Sequence, residues 1–314
     1  MSAQGSAGTA VDLRTDLGRG LVLRNPIVAA SGCCGYGTEL TPFYSPEVLG
    51  AIVGKTITRA PREGNPSPRM AETPAGMLNS IGLQNPGIER YLERLLPDMQ
   101  ALGEVPVVAN VAGEDAADFA ALTERVGEVP GVAAVELNIS CPNVSHGLDF
   151  ARVPERTTEV VRACRERTDK PLWAKLSPNV ADLRPIAEAA QAGGADAITV
   201  SNTLLGMAVD WRARRPKLAR GFGGLSGPAI RPVVLLHARR CVEAVDIPVL
   251  GCGGVRTAED ALEYLCVGCK AVQVGTAGFQ DPLRLPTIVE RLGRLLAELG
   301  CSRLADYVGS YRAP

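Results

Sequence analysis

A cysteine followed directly by proline stands at the end of an apolar stretch and could carry out proton chemistry. The stretch reads VELNISCPNVSHG over residues 135–147, so Cys141 lies close in the chain to the amides of Asn138 and Asn143. A thiol can accept a proton when neighbouring cations lower its pKa from about 8.5. A nucleophilic thiol would need a histidine held against it, and the chain has only two histidines. These residues favour a general base at Cys141 over a nucleophile.

Two lysines are the second sign of chemistry, because lysine is scarce in this chain. Only five are present, and Lys55 and Lys175 stand inside the apolar stretches AIVGKTIT and PLWAKLS. A lysine near a strand end can extend to solvent, whereas a buried ammonium costs several kcal/mol unless an anion or strong acceptor meets it. Other apolar stretches also end in polar residues, which favours a shared functional site: Ser31, Thr56, Asn110, Ser201, Asn202 and Thr203.

Eight short apolar stretches bounded by turn residues are the elements that would position these side chains. They predict strands over residues 26–31, 51–58, 106–113, 133–140, 171–177, 197–202, 248–254 and 271–277. Helix-like stretches lie between most of them, and this alternation predicts parallel pairing with right-handed crossovers. Eight such units favour a (β/α)8 TIM barrel of the α/β class over a doubly wound open sheet. In a barrel the polar strand ends would meet at one mouth, where active sites lie.

Two additions to a simple barrel are visible in the sequence. Residues 11–25 predict a β-hairpin that covers the bottom of the barrel, and residues 203–228 are too long and polar for a simple connection after strand 6. Long loops in compact domains are usually functional or disordered, so we expect 203–228 to protrude over one face. Residues 1–10 read as a flexible leader, and the whole of 1–314 as one domain.

The last two predicted strands end in glycine-rich sequences, GCGG and GTAG. Barrels often bind phosphate with backbone amides from the loops after strands 7 and 8. Glycine lets a backbone approach a ligand closely. We therefore expect Gly253, Gly254, Gly275 and Thr276 to hold a phosphate-bearing ligand.

Composition excludes several other classes of protein. Hydrophobic residues make up 46% and charged residues 21% of the 314 residues, and the net charge is -1, so a nucleic-acid footprint is not expected. No apolar run approaches the roughly 18 residues of a membrane span, and the N-terminus lacks a signal-peptide pattern, which predicts a cytoplasmic protein. The only CxxC, Cys266 to Cys269, lacks further ligands, so no metal site is expected.

Several motifs, in order from Asn25 to Pro282, carry a family resemblance. They are NPIVAASG, GKTIT, GNPSPRMAETPAGMLNSIGLQNPG, ELNISCPNV, KLSPNV, SNTLLG, GGLSGPAI, GCGGV and VGTA. Through them the chain resembles the dihydroorotate dehydrogenases of class 1B. The resemblance implies an FMN-binding barrel that oxidises (S)-dihydroorotate to orotate in de novo pyrimidine biosynthesis. Two departures are Cys34, where the family more often has an aromatic residue, and a loop after Asn143 without the expected basic residue and second glycine.

The resemblance also assigns roles to residues. Cys141 would take the C5 proton of the substrate while a hydride leaves C6 for the flavin, and Lys175 would face the N1/O2 edge of the flavin. Residues implied for the substrate are Lys55, Asn79, Ser80, Ile81, Gly82, Leu83, Asn138, Asn143, Asn202 and Thr203. Those implied for FMN are Ser31, Lys55, Thr56, Asn110, Asn138, Lys175, Ser201, Gly227, Gly253, Gly254, Gly275 and Thr276.

Class 1B members pass electrons to a separate subunit with FAD and a [2Fe-2S] cluster, which reduces NAD. The resemblance thus implies a homodimer core within a heterotetramer, and this chain has neither a dinucleotide fingerprint nor a ferredoxin-type cysteine run. Alternatives left open are a class 1A-like enzyme that uses fumarate and a dihydropyrimidine dehydrogenase. A barrel lyase with a Schiff-base lysine and no flavin, and a non-catalytic binding module, are further alternatives.

Overall fold

Eight short parallel strands close into a barrel in the computed structural model, which describes residues 11–140 and 150–313. Cys141 and Asn143 lie outside the described residues. In chain order the barrel strands are β1 (Ile27–Ala29), β2 (Ala51–Val53), β3 (Val107–Val111), β4 (Val132–Leu137), β5 (Leu172–Lys175), β6 (Ala197–Val200), β7 (Val249–Cys252) and β8 (Ala271–Val274). Each pairs with its neighbours in the chain, and β8 pairs with β1. The predicted (β/α)8 barrel is confirmed.

Each barrel strand overlaps a predicted stretch and is shorter than it, and β4 begins one residue before its stretch. The strand predicted over 51–58, for example, ends at Val53. Strands buried on both faces favour β-branched and small apolar residues, as in AIV, AITV and AVQV. The polar residues that the sequence placed at strand ends therefore lie mostly in the loops at the barrel mouth.

Helices connect most of the strands and pack around the barrel. They span Ala116–Gly127, Pro154–Arg165, Arg184–Ala192, Arg231–Ala244, Ala258–Cys266, Ala277–Gln280 and Arg284–Glu298. Between β2 and β3 a helical stretch runs through Gly87–Arg90, Tyr91–Leu95 (a π-turn) and Leu96–Gln100, and between β1 and β2 only the 3-10 turns Thr38–Leu40 and Pro46–Val48 are present. Side-chain caps fix some helix starts, as where Thr257 and Asp260 form a capping box.

The predicted hairpin at the N-terminus closes the bottom of the barrel. Thr15–Asp16 pairs antiparallel with Val22–Leu23. Leu17 and Leu23 are fully buried against an apolar cluster from the strands, formed by Val28, Ala51, Val53, Val108, Ala134, Trp173, Ala197, Leu250 and Ala271. This apolar layer fills the barrel interior on the hairpin side, and its one polar side-chain group is the Trp173 indole N–H.

The insertion after β6 forms part of a second sheet. Leu204–Gly206 pairs with Gly223–Ser226, which pairs with Gly76–Asn79, which in turn pairs with Met70–Thr73. The expected insertion after β6 is present, but sequence reasoning missed the hairpin at 70–79. Its strands are short and only half-buried, so their hydrophobic alternation is weak. None of the helices in the described ranges is long and apolar enough to cross a membrane.

Candidate active site at the barrel mouth

A cavity of about 470 Å³ opens at the carboxyl ends of the barrel strands. The four-stranded sheet forms one of its walls through Asn79 and Gly224. Every predicted site residue in the described ranges lines this cavity: Ser31, Lys55, Thr56, Asn79, Ser80, Ile81, Gly82, Leu83, Asn110, Asn138, Lys175, Ser201, Asn202, Thr203, Gly227, Gly253, Gly254, Gly275 and Thr276. The fold thus brings together residues that the sequence distributes over most of the chain.

A polar layer lies inside the barrel directly above the apolar layer. Side chains alternate along a strand, so residues two positions beyond the apolar layer also point inward. These residues are Asn110, Glu136, Lys175, Thr199, Cys252 and Gln273. Their side chains form hydrogen bonds between strands that are not neighbours, such as β4 and β8. Such contacts are possible only through the barrel interior, so this layer is the floor of the cavity.

Glu136 is the centre of the polar layer and is fully buried. Its Oε1 accepts a hydrogen bond from Asn110 Nδ2 at 2.7 Å, and its Oε2 accepts one from Thr199 Oγ1 at 2.8 Å. Gln273 Nε2 also donates to Oε2 and stands 3.2 Å from Thr199 Oγ1. Buried charges in proteins are stable only when they are paired and hydrogen-bonded. These three donors meet the carboxylate on both of its oxygens.

Lys175 supplies the positive charge beside this carboxylate. Its Nζ donates to Gln273 Oε1 at 3.0 Å and lies 3.8 Å from Glu136 Oε1, and the side chain is almost fully buried. Burial by itself lowers the pKa of Lys175, but that pKa lies above its ordinary value because Cys252, Glu136 and Cys33 surround the ammonium. Lys175 therefore presents a protonated amine at the cavity floor.

Amide side chains cluster on one side of the cavity. Asn138 Nδ2 donates to Thr56 Oγ1 at 3.2 Å, and Asn138 Oδ1 accepts from Ser140 Oγ at 3.0 Å. Asn202 Nδ2 donates to Ser140 Oγ at 2.6 Å and to Asn138 Oδ1 at 3.3 Å. The Oδ1 of Asn202 accepts from the backbone N–H of Thr203 at 2.8 Å. This network orients the two amides and also fixes Ser140, the residue immediately before Cys141.

Two further contacts hold the opposite walls. Ser31 Oγ donates to the carbonyl of Gly54 at 2.7 Å, and Asn79 Nδ2 donates to the carbonyl of Gly224 at 3.4 Å. Gly224 belongs to the insertion, so the second bond ties the two hairpins together at the cavity. Asn65 Nδ2 donates to the carbonyl of Ser80 at 2.9 Å, which fixes the start of the segment Ser80–Leu83.

The glycines after β7 and β8 form a cradle that has no room for side chains. Gly254 has φ +74°, and a Cβ there would lie 2.6 Å from the Cβ of Arg231. A Cβ on Gly227 (φ +96°) would lie 2.6 Å from the Cα of Gly76, and one on Gly275 would lie 2.8 Å from Cys33 Sγ. Thr276 Oγ1 stands 2.8 Å from Ser226 Oγ in the same region. Bare backbone and hydroxyls of this kind suit a phosphate group.

One buried polar atom points to a ligand inside the cavity. Asn110 is 1% exposed, yet its Oδ1 has no hydrogen-bond partner among the described residues. A buried acceptor without a partner costs about 1–3 kcal/mol. A bound molecule with N–H or O–H donors would satisfy this oxygen, and the glycine cradle on the same cavity would receive its phosphate. These features fit a flavin mononucleotide, which carries both kinds of group.

Two cysteines also line the cavity near Lys175. Burial raises the pKa of the Cys33 thiol to about 11, although Lys175 and Lys55 oppose the increase. Burial likewise raises the pKa of the Cys252 thiol above its usual range. Both groups are therefore neutral thiols near neutral pH. Among the described residues, no group of His, Cys, Asp or Glu side chains is arranged to hold a metal ion.

Sequence reasoning missed several members of the site. Glu136, Thr199 and Gln273 lie inside predicted strands, and the strand prediction alone gives them no role in the site. Each lies two positions beyond a residue of the apolar layer, so counting inward-facing positions along each strand would have found them. Asn179, which donates to the carbonyl of Thr203 at 3.0 Å and accepts from the N–H of Leu205, was also missed.

Comparisons with known proteins agree with this geometry. Residues 15–296 match the family model described as dihydroorotate dehydrogenase. Over 291 residues the chain is 48% identical to dihydroorotate dehydrogenase B (NAD(+)), catalytic subunit, of Bacillus mycoides strain KBAB4, covering 92% of this chain and 94% of that protein. It is 47% identical to the protein of the same description from Geobacillus kaustophilus strain HTA426, covering 92% and 93%. The similarity spans almost the whole barrel.

Proposed function

The chain belongs to the dihydroorotate dehydrogenase family, and we propose that the barrel mouth is where it oxidises (S)-dihydroorotate to orotate in pyrimidine biosynthesis. The observation that carries the assignment of the site is the convergence of the cation Lys175, the amides Asn138 and Asn202, and the glycine cradle on one cavity. Its relatives are described as catalytic subunits of the NAD(+)-linked class B. The class 1B assignment follows from them.

We infer that FMN is the cofactor of this chain. The cradle of Gly253, Gly254 and Gly275 would hold its phosphate, and a donor of the bound molecule would satisfy the free Oδ1 of Asn110. Lys175 would place a fixed positive charge where a reduced flavin becomes negative, which stabilises that charge at little reorganisation cost. When bound, the flavin supplies a two-electron acceptor for the hydride that leaves C6 of the substrate. The remaining flavin contacts would come from Ser31, Thr56, Ser201, Gly227 and Thr276.

The amides would recognise the polar edge of the substrate ring. A dihydropyrimidine offers both donors and acceptors along its edge, and an amide side chain can meet both. Asn138 and Asn202 are held in fixed orientations by Thr56 and Ser140, so they would lose little entropy on binding. Lys55, Asn79, Thr203 and the segment Ser80–Leu83 would complete the pocket, with Asn143 from the loop outside the described residues.

Cys141 is our proposal for the general base that removes the C5 proton. It lies outside the described residues, but Ser140 before it is buried and bonded to both Asn138 and Asn202. The backbone that leads to Cys141 is thus anchored at the substrate amides. A thiolate there would be supported by nearby cations of the cavity.

Electrons must leave the site after each turnover. We propose that they pass to a partner subunit that carries FAD and a [2Fe-2S] cluster and reduces NAD. The description of the relatives as NAD(+)-linked catalytic subunits supports the partner subunit and the acceptor. A homodimer core within a cytoplasmic heterotetramer follows the same proposal. The lyase alternative has less support, because a Schiff-base lysine must react as a neutral amine, and the pKa of Lys175 is raised beside Glu136.

An anaerobic visible spectrum of the purified chain, recorded before and after addition of (S)-dihydroorotate, tests this function. We expect a flavin spectrum that bleaches with dihydroorotate. Bleaching only with a dihydropyrimidine that lacks the carboxylate, such as dihydrouracil, would assign the chain to a pyrimidine-degrading reaction instead. A colourless protein that cannot be reconstituted with FMN would reject the oxidoreductase function.

A further inference from the structure

We propose that Glu136 is a positioning residue for Lys175: the buried carboxylate holds the ammonium at the cavity floor and keeps it protonated. The inference rests on the proposed function, since it assigns to the pair the task of presenting a fixed positive charge to the flavin. Glu136 is fully buried within the polar layer and is not itself exposed to the cavity, unlike Lys175 and Gln273 of the same layer. It would therefore act through Lys175 and not by touching cofactor or substrate.

The geometry of the pair is set by two adjacent strands. Glu136 on β4 and Lys175 on β5 both point into the barrel, and Glu136 Oε1 lies 3.8 Å from Lys175 Nζ. Gln273 from β8 connects them a second time, because its Oε1 accepts from Lys175 while its Nε2 donates to Glu136. The Gln273 side chain thus holds the ammonium of Lys175 through its oxygen and the carboxylate of Glu136 through its nitrogen.

All of the side chains that meet the Glu136 carboxylate in the described ranges can donate to it, and three of the four present only N–H groups. Asn110 and Gln273 each present an amide N–H, Thr199 presents a hydroxyl, and Lys175 presents its ammonium. A protonated carboxylic acid would need an acceptor for its own proton. The arrangement therefore suits the ionised form, and it holds that charge away from solvent.

Glu136 is also the group that balances the charge of Lys175. The other titratable groups that face Lys175 are Cys252 from β7, Cys33 after β1 and, next to Cys33, Lys55 after β2. The two thiols are only partly exposed and desolvation raises their pKa values, so they carry no charge near neutral pH. Lys55 has the same sign as Lys175 and can only oppose its protonation. Among these described neighbours Glu136 is the group that carries a negative charge near neutral pH, and the Gln273 oxygen adds a neutral acceptor for the ammonium.

Removal of this carboxylate should change the charge of the site. A fully buried lysine without an anion loses its proton at a pKa that is up to about 3–5 units lower than usual. Lys175 would then be an uncharged amine at the working pH and would no longer stabilise a negative flavin. A merely structural Glu136, which only fills the barrel and accepts hydrogen bonds, predicts no such titration.

The test is a pH titration of Lys175 by NMR in protein labelled with ¹³C-lysine. The chain has only five lysines, so the Cε signals are few, and Lys175→Arg identifies the one of interest by its disappearance. In the wild-type chain we expect the Lys175 signal to keep its protonated position up to about pH 10. In Glu136→Gln the midpoint should fall by about 1–3 pH units, and Glu136→Asp should restore most of the wild-type value because it keeps the carboxylate.

A second readout measures how many protons the FMN-loaded chain takes up when its flavin is reduced. The FMN-loaded chain is reduced by light with EDTA as the electron donor, and proton uptake is measured with a pH indicator. Above its lowered pKa, Lys175 in Glu136→Gln should take up one additional proton when the flavin becomes negative, while the wild-type chain and Glu136→Asp should not. This reduction needs no dihydroorotate, so the result does not depend on the substrate proposed above.

The outcomes separate the two proposals. A chain that ignores dihydroorotate but shows the lowered Lys175 midpoint in Glu136→Gln would remove the proposed substrate and keep the positioning role. A Lys175 midpoint that is the same in Glu136→Gln and in the wild-type chain would overturn the positioning role. If Glu136→Gln does not fold, the wild-type titration decides: a Lys175 midpoint below the ordinary value of about 10.4 would reject the proposal.

Discussion

Substitution of Gly254 by alanine would test the phosphate cradle through a change that can be calculated from the backbone. Gly254 has φ +74°, where an L-residue costs about 1–2 kcal/mol more than glycine. The new Cβ would also stand 2.6 Å from the Cβ of Arg231 and 2.9 Å from the backbone oxygen of Gly227. Because Gly227 contributes rigid backbone, the loop must shift, and overpacking of this kind costs about 1–3 kcal/mol.

A matched control separates the two costs. Gly20, in the hairpin at the bottom of the barrel, has φ +77°, and a Cβ added there would have no atom within 4 Å among the described residues. The free energy of unfolding of Gly20→Ala should therefore fall only by the conformational cost of an L-residue at positive φ. That of Gly254→Ala should fall by about 2–5 kcal/mol, the sum of the conformational and the overpacking costs. Urea unfolding of the two variants and the wild-type chain, all without flavin, measures both losses.

The FMN affinity of the folded variants is the decisive measurement. We expect Gly20→Ala to bind FMN as the wild-type chain does, since it lies away from the cavity. Gly254→Ala should raise the Kd by about tenfold or more, which corresponds to about 1.4 kcal/mol, because the displaced backbone can no longer meet the phosphate. Flavin fluorescence follows the binding. A Gly254→Ala chain that is destabilised as calculated yet binds FMN with wild-type affinity would refute the cradle.

Two further predictions concern thiols. Cys141→Ala should bind FMN normally but slow the reduction of flavin by dihydroorotate by about 10²–10⁴-fold, as loss of a general base does. Stopped-flow absorbance measures the rate of flavin reduction, and Cys301→Ala serves as the control. Normal reduction by Cys141→Ala at neutral pH would remove Cys141 as the base. Cys33 should react slowly with iodoacetamide at pH 8 in the flavin-free chain and faster as the pH rises, because burial raises the pKa of its thiol to about 11 and only the thiolate reacts. Peptide mass spectrometry measures the labelling rate of Cys33. A rate that is already maximal at pH 8 would contradict the raised pKa of this thiol.

Much of the fold could be predicted from the sequence because its signals are local. Each barrel strand is a short run such as AIV or AITV, and each run ends in turn residues or glycine. The positions of Gly253, Gly254 and Gly275 after the last two strands predicted the cradle by a rule of the barrel fold. The N-terminal hairpin and the insertion after β6 could also be predicted from the sequence. The roles of all the site residues remain predictions, and Cys141 and Asn143 also lie outside the described residues.

Counting along each strand could place the floor residues on the inward face, but it could not predict which of them meet. Lys175 and Gln273 are 98 positions apart in the chain, and Gln273 and Glu136 are 137 apart. The sheet that joins Gly76–Asn79 to Gly223–Ser226 likewise pairs residues from distant insertions. No local pattern specifies which distant partners meet, since each of these residues reads only as part of its own strand.

By itself, then, the sequence determined the elements and the residue types that reach the mouth, because hydrophobic alternation and turn propensity act between near neighbours. Only the tertiary structure decided that the Glu136 carboxylate lies beside Lys175 and that Gln273 links the two. Closure of the barrel places inward-facing side chains of six strands, β3 to β8, in one largely buried polar layer. A buried charge in such a layer needs a partner of opposite charge. Barrel closure determines which strand supplies that partner, and for Lys175 it is the neighbouring β4 with Glu136.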